Sequence, residues 1–198
     1  MGISASWIGI KGRSKPDVLA ELDLTDTGNL DPEMQARFCC AERPEGWLIV
    51  FSDDFEFASP RTIADLSKGG LAIGSVMEEH VMFSGLRAYG DGQSLWSVTH
   101  DPEEGLRSLS VTGTPPEVLA SIRDDAVRQQ EEAGGEGANV DFLFDVPMDL
   151  AKALTGFRHD EDNSNSPTFT VLERAGRTRR NDDPGKGGWL ATLFGRKR

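Results

Sequence analysis

The chain contains three histidines, and each of them stands beside a carboxylate. His80 ends the run EEH, His100 precedes Asp101, and His159 precedes Asp160. Imidazole and carboxylate groups are ligands for zinc and related divalent metals, and a carboxylate can also orient a histidine that acts as a general base. These neighbours therefore indicate a candidate metal or acid–base site.

The ligand set for such a metal site is His80, His100 and Asp101, with Glu79 assisting. A glycine-containing turn at residues 90–92, midway between the two histidines, predicts a β-hairpin that brings them together. The sequence lacks the HxH, HExxH and HxxxH spacings that fix two histidines on one element. The competing interpretation, structural or surface histidines, therefore stays open.

Other stretches resemble known functional motifs but lack the residues or the spacing that those motifs require. The run DEDNSN at residues 160–165 resembles a calcium loop but has Asn165 where the loop requires glycine. GKGG lacks the spacing of a phosphate loop, GGEGAN follows a predicted helix instead of a strand, and GxSxG is missing. Cys39 and Cys40 are adjacent, which disfavours a bridge between them and predicts small buried thiols over a nucleophile.

The charge of the chain is unevenly distributed. Its 198 residues carry a net charge of -12. From Arg174 onward, eight Lys/Arg outnumber two Asp/Glu, so residues 1–173 carry -18. A body this acidic repels nucleic acid and attracts basic partners. The pattern predicts one acidic domain at residues 1–173, followed by a basic linker and docking segment at residues 174–198.

A short amphipathic segment lies within that basic region. It combines four apolar side chains on one helical face with three cations after them: Trp189, Leu190, Leu193, Phe194, Arg196, Lys197 and Arg198. A helix this short is marginal in water and becomes ordered only against an apolar groove. We expect it to dock on the chain's own body or in a groove of another protein; an anionic membrane surface is the third alternative.

Apolar runs and turn residues predict a β-rich chain with several helices. Strands are predicted over SASWIGIKG, WLIVFS, LAIGSVM, HVMFSGLRAY, SLWSVTH, LRSLSVTG, VDFLF and TFTVLE. Helices are predicted over SKPDVLAELDL, SPRTIADLSKGG, TPPEVLASIRDDAVRQQEEAGG and DVPMDLAKALTG, with a capping box at Thr114 and Glu117; residues 25–45 are predicted as loop. The pattern indicates an α+β fold: a mixed, largely antiparallel sheet with short helices packed on one face.

Four stretches, MGISASWIGIKG, EEHVMFSG, LWSVTHD and LTGFRHD, resemble a family of uncharacterised bacterial proteins that begin with a similar Met-Gly…Ser-Trp-Ile segment. The resemblance covers residues 1–160. It implies a bacterial, cytoplasmic origin, and it implies neither an activity nor a site residue.

The sequence favours a non-enzymatic, cytoplasmic protein-binding module, in which an acidic body meets a basic protein partner and the end segment docks in a groove. The alternative is a metal-dependent enzyme that uses the histidines and carboxylates with a divalent metal. The missing signal-peptide pattern, the short apolar runs and the two cysteines predict the cytoplasm. Gly2 and Ser6 match a myristoylation pattern, although a first strand is the preferred interpretation of that stretch.

Overall fold

The computed structural model of the protein describes residues 2–105, 107–161 and 168–176. These residues form nine strands and four α-helices. In chain order the elements are β1 (Ser4–Lys11), α1 (Lys15–Glu21), β2 (Leu24–Leu30), β3 (Phe38–Arg43), β4 (Trp47–Ser52), α2 (Pro60–Leu66), β5 (Leu71–Glu78), β6 (Phe83–Gly90), β7 (Gln93–His100), β8 (Ser110–Gly113), α3 (Val118–Glu132), α4 (Asp145–Thr155) and β9 (Thr170–Arg174). The predicted α+β class is confirmed.

All the described strands belong to one sheet, in the order β2-β9-β3-β4-β1-β5-β6-β7-β8. β1 lies at its centre, where Trp7 is opposite Phe51 of β4 and Ser75 of β5. β9 enters between β2 and β3 and pairs with both. Every strand pair among the described residues is antiparallel. The prediction of a mixed, largely antiparallel sheet is therefore correct in the antiparallel pairing and wrong in the mixture.

Each face of the sheet carries its own hydrophobic core. Successive residues of a strand point to opposite faces. Trp7 therefore packs in the core that contains residues of α3 and α4, whereas Ile8 packs in the core that contains residues of α1 and α2. Helices thus cover both faces, in contrast to the predicted arrangement on one face, because the central strands are apolar on both sides.

The predicted helix ends are mostly found in the structure. Ser14 and Ser59 each accept a backbone N–H from the first turn of the helix that follows, and Gly156 ends α4 with φ 70°. Only a residue without a side chain adopts that left-handed conformation readily. α3 differs, because it begins at Val118 without a side-chain cap; the predicted capping box at Thr114 does not form.

Two strands lie where the sequence predicts a loop. β2 is a polar edge strand, and β3 is apolar on both faces at Phe38–Arg43, so neither shows the alternation typical of a half-buried strand. The reverse error occurs before α4, where the predicted strand VDFLF is a turn.

The folded body extends slightly past the predicted domain boundary at residue 173. β9 continues to Arg174, whose guanidinium lies 5.2 Å from the ring centroid of Phe38. The N–H of Ala175 then donates to the carbonyl of Asp23 at 2.8 Å. None of the helices in the described part of the chain is long and apolar enough to cross a membrane.

Candidate functional site

The β6–β7 hairpin forms as predicted, but its register does not pair the two candidate metal ligands. Ser84 lies opposite His100, and a register shift at Ala88 and Tyr89 moves the turn off the expected midpoint. His80 lies before β6, exposed, with its Nδ1 2.6 Å from Oε1 of Glu78. A hydrogen bond with Ser4 is the main cause that holds the pKa of the Glu78 carboxyl below its ordinary value, and the contact with His80 lowers that pKa further.

The ring of His100 is fully buried, and both of its nitrogens already have oxygen partners. Nδ1 lies 2.8 Å from the carbonyl oxygen of Ser108, and Nε2 lies 2.8 Å from Oδ2 of Asp141. An oxygen atom thus lies within hydrogen-bond distance of each ring nitrogen. Neither nitrogen is left with a lone pair directed at a metal.

Asp141 joins this histidine to the start of α4. Its Oδ1 accepts the backbone N–H groups of Leu143 and Phe144 at 3.1 and 3.3 Å, while Ser84 donates its hydroxyl to the carbonyl of Phe144 at 2.7 Å. The His100–Asp141 pair therefore fixes the position of the helix on the sheet.

Asp101, the third predicted metal ligand, has a local structural contact. Its Oδ1 accepts the N–H of Glu103 at 3.0 Å and caps a single 3₁₀ turn at Pro102–Glu104. The described residues contain no group of three or more His, Cys, Asp or Glu side chains arranged to hold a metal. The metal site stays a prediction that this geometry does not support.

Two adjoining depressions lie on the surface beside these residues and together form a groove. One part, of about 890 Å³, lies between the β5–β6 turn and the loop before α4, and the other, of about 600 Å³, lies between α3 and α4. The two parts share Phe142 and Asp145 in their walls. We call this surface the acidic groove, because six carboxylates line it: Glu79, Asp125, Asp141, Asp145, Asp149 and Asp160.

Three of the seven exposed large apolar side chains among the described residues line the same groove. Val81 is 59% exposed, Val140 49% and Val118 39%, and all three line it. Exposed apolar patches with a polar rim mark sites of interaction on soluble proteins. A smaller depression of about 380 Å³ on the α1–α2 side lacks these valines, and two arginines, Arg61 and Arg174, lie there among four carboxylates.

One arginine organises the carboxylates at the middle of the acidic groove. The guanidinium of Arg158 donates to Asp160 through Nε at 2.7 Å and Nη2 at 3.0 Å, to Asp145 at 2.6 Å, and to Asp149. One cation thus faces three carboxylates, which leaves two negative charges in excess.

The charges around Arg158 shift the pKa values of its partners in opposite directions. Burial raises the pKa of Asp145, and the neighbouring Asp149 and Asp160 add to the rise against the effect of Arg158. Burial alone would also raise the pKa of Asp160, but its hydrogen bonds and ion pair with Arg158 hold that pKa below the ordinary value. Of these two carboxyls, Asp145 is therefore the one whose charged form its surroundings disfavour.

His159 lies next to this network, and its ring is 9% exposed. Neither ring nitrogen has a hydrogen-bond partner among the described residues. Burial lowers the pKa of the imidazole and the charge of Arg158 lowers it further, whereas Asp160 and Glu79 oppose the shift. The neighbouring Asp160 thus does not orient this histidine as a base.

The wall of the acidic groove depends on a buried glutamine in α3. Gln130 donates through Nε2 to the carbonyls of Gly135 and Val140 at 2.8 and 3.1 Å, and its Oε1 accepts the N–H of Phe142 at 3.0 Å. These three hydrogen bonds hold the loop that presents Val140 and Asp141. Sequence reasoning missed this residue, because a glutamine in an amphipathic helix gives no signal that it is buried.

The two cysteines lie in β3, where the Sγ of Cys40 is 3.6 Å from the Oγ1 of Thr170. Both are buried free thiols, and burial raises the pKa of each. A raised pKa suppresses the reactive thiolate. The predicted buried thiols are therefore found.

The predicted docking segment lies outside the described residues. This holds for all of its members: Trp189, Leu190, Leu193, Phe194, Arg196, Lys197 and Arg198. Comparisons of the chain with protein-family models, with curated proteins and with solved structures give no match. The resemblance to an uncharacterised bacterial family stays a prediction, and the function must be argued from the site itself.

Proposed function

We propose that this protein is a non-enzymatic, cytoplasmic binding module whose acidic groove binds a basic amphipathic segment of a partner protein. The proposal is carried by one observation, the coincidence of six carboxylates and three exposed valines on one continuous surface. Amphipathic helices bind grooves of this kind through apolar residues spaced three or four apart, while their charged face selects the partner.

The electrostatics favour a cationic ligand. Arg158 compensates only one of the three charges that it contacts. The residues before Arg174 also carry a net charge of -18, so the whole body attracts a basic partner over a distance of about one Debye length, or ~8 Å in physiological salt. We therefore expect association that becomes weaker as salt is added.

The expected affinity is low. Covering three half-exposed valines contributes roughly 3 kcal/mol, since a fully buried side chain contributes about 1.5–3 kcal/mol. Two or three partly exposed ion pairs add up to ~1 kcal/mol each. If the partner's own apolar burial offsets the cost of association, this total of about 5–6 kcal/mol corresponds to a Kd on the order of 0.1 mM. Such binding is reversible and suits a regulated contact.

The test compares groove variants of the full chain. The double substitution Val81→Lys and Val140→Lys places cations in the groove at exposed positions, where the fold should tolerate them. The matched control is Leu95→Lys with Val111→Lys, two apolar side chains of similar exposure outside the groove. Partners are captured from a lysate in low salt, identified, purified and measured again by titration with each variant.

The proposal predicts a partner that binds the wild type and the control with equal affinity and dissociates from them in high salt. Its affinity for the groove variant should be at least tenfold lower. A purified partner that binds the groove variant as well as the wild type would overturn it. So would the capture of no protein by the wild type.

A further inference from the structure

We infer that residues 189–198 of this chain bind its own acidic groove and compete there with the partner. The inference rests on the proposed function of the groove and adds its regulation. The segment has the chemistry expected of the ligand, since four apolar side chains within WLATLF are followed by the cations of RKR.

Charge complementarity selects this occupant. The groove offers six carboxylates against two cations among the described residues, Lys152 in its walls and Arg158, which contacts three of the carboxylates. Arg196, Lys197 and Arg198 form the densest cationic run in the sequence. Cations near a partly buried carboxylate such as Asp145 gain more than cations on an open surface, because the partly buried site is screened less.

The groove also contains apolar side chains that the apolar residues of the segment can contact. Val118 and Ile122 of α3 lie in one part of the groove, and Val81 and Val140 lie in the other. On a helix, Trp189 and Leu193 are four residues apart and share a face. In the proposed complex, the apolar face of the segment therefore contacts the valines and its cations extend toward the carboxylates.

The course of β9 brings the chain toward the same end of the sheet. From β9 through β3, β4 and β1 to β5 each step is antiparallel, so β9 and β5 run in the same direction. The residues after β5, Glu79 to Met82, line the groove. The chain therefore leaves β9 at the sheet end where the groove lies.

The length of the connecting chain matches this separation. Four strand spacings of about 4.8 Å separate β9 from β5, or roughly 19 Å. Thirteen peptide steps join Gly176 to Trp189. Thirteen residues span at most about 43 Å, and the general relation for polypeptide linkers gives a mean end-to-end distance of about 20 Å for that number. Effective concentration is highest when the mean length of a linker equals the span, and it reaches the millimolar range.

The experiment measures competition in the full-length protein. A fluorescein-labelled synthetic peptide of residues 185–198 is titrated with the wild type and with the variant Trp189→Ala, Leu193→Ala, Phe194→Ala, and fluorescence anisotropy is recorded in low salt. With an intrinsic Kd of ~0.1 mM and a tethered competitor at ~1 mM, the variant should bind the peptide about tenfold more tightly than the wild type. Adding Val81→Lys and Val140→Lys to the variant should abolish binding, whereas Leu95→Lys and Val111→Lys should not.

Equal affinity of the wild type and the Ala variant for the peptide would overturn occupation in cis and leave the groove as a peptide site. Binding that survives Val81→Lys and Val140→Lys would overturn the location. If neither protein bound the peptide, the inference would fail, and the partner titration above would still decide the proposed function. Two other outcomes would place the segment on another surface and likewise overturn the inference. The first is a wild-type dimer that becomes a monomer in the Ala variant. The second is sedimentation of the wild type, but not of the Ala variant, with phosphatidylglycerol vesicles.

Discussion

Replacing His159 by leucine should stabilise the protein. Its ring is 9% exposed, and its two nitrogens lack hydrogen-bond partners among the described residues. An unsatisfied buried polar group costs about 1–3 kcal/mol, whereas an apolar side chain of similar size removes this cost. We expect His159→Leu to raise the free energy of unfolding by about 1–2 kcal/mol at pH 8, where the imidazole is neutral in both states.

The stabilisation by His159→Leu should grow as the pH falls. Burial and the charge of Arg158 lower the pKa of the histidine in the folded protein, although Asp160 and Glu79 oppose them. The unfolded chain keeps an ordinary pKa near 6.5. Between the two values the unfolded state binds more protons, so the wild type loses stability as the pH drops below about 6.5. At pH 5.5 this loss reaches at most ~1.4 kcal/mol, and the leucine variant lacks it.

Urea unfolding at pH 8 and pH 5.5, followed by tryptophan fluorescence, measures both effects. Trp7 is a suitable probe, because its ring contacts Phe157 at a centroid distance of 5.2 Å. The control is His80→Leu, an exposed histidine whose contact with Glu78 should contribute little to stability. A His159→Leu protein that is less stable than the wild type at pH 8, or whose gain is the same at both pH values, would refute this reasoning.

Three further outcomes follow from buried groups. His100→Ala should lower the free energy of unfolding by about 3–5 kcal/mol, because it leaves a buried carboxylate unpaired, and His80→Ala should leave it nearly unchanged in chemical denaturation. If the two histidines instead shared a structural metal, both substitutions and a chelator would lower the melting temperature. Gln130→Leu should cost about 2–4 kcal/mol and speed amide exchange in residues 135–142, whereas Gln129→Leu, on the exposed side of α3, should do neither. The thiol of Cys39 should react with a thiol reagent only at the rate of unfolding, and rapid reaction in the folded protein would contradict its burial and raised pKa.

Local patterns in the sequence were sufficient to predict most strands of the sheet. The strands from β4 to β7 contain apolar runs bounded by glycine or polar turns, and these runs predict them directly. β3 was missed because Cys39, Cys40 and Ala41 are all buried, which removes the alternation that marks a strand. The place of β9 is not a local property at all, since Val171 pairs with Cys39 across 132 residues of chain.

The candidate site was less predictable than the fold, because its residues meet only through the topology. Sequence neighbours suggested Asp101 as the partner of His100, yet the structure pairs that histidine with Asp141, 41 residues away. The acidic composition of the body indicated a basic partner. The position of the groove depends on where the β5–β6 turn, α3 and α4 come together, and spacing along the chain does not contain that information.

Ligand binding in the acidic groove must be linked to the ionisation of Asp145. Burial and the neighbouring carboxylates raise the pKa of this group, so its charged form is held at a cost that Arg158 only partly offsets. A basic segment placed in the groove lowers that cost, because an added positive charge favours the carboxylate over the carboxylic acid. By linkage, protonation of Asp145 must weaken the binding of the segment. We therefore expect the proposed basic ligand to dissociate more readily as the pH falls toward the pKa of Asp145, and we expect Asp145→Asn to remove this dependence together with part of the affinity.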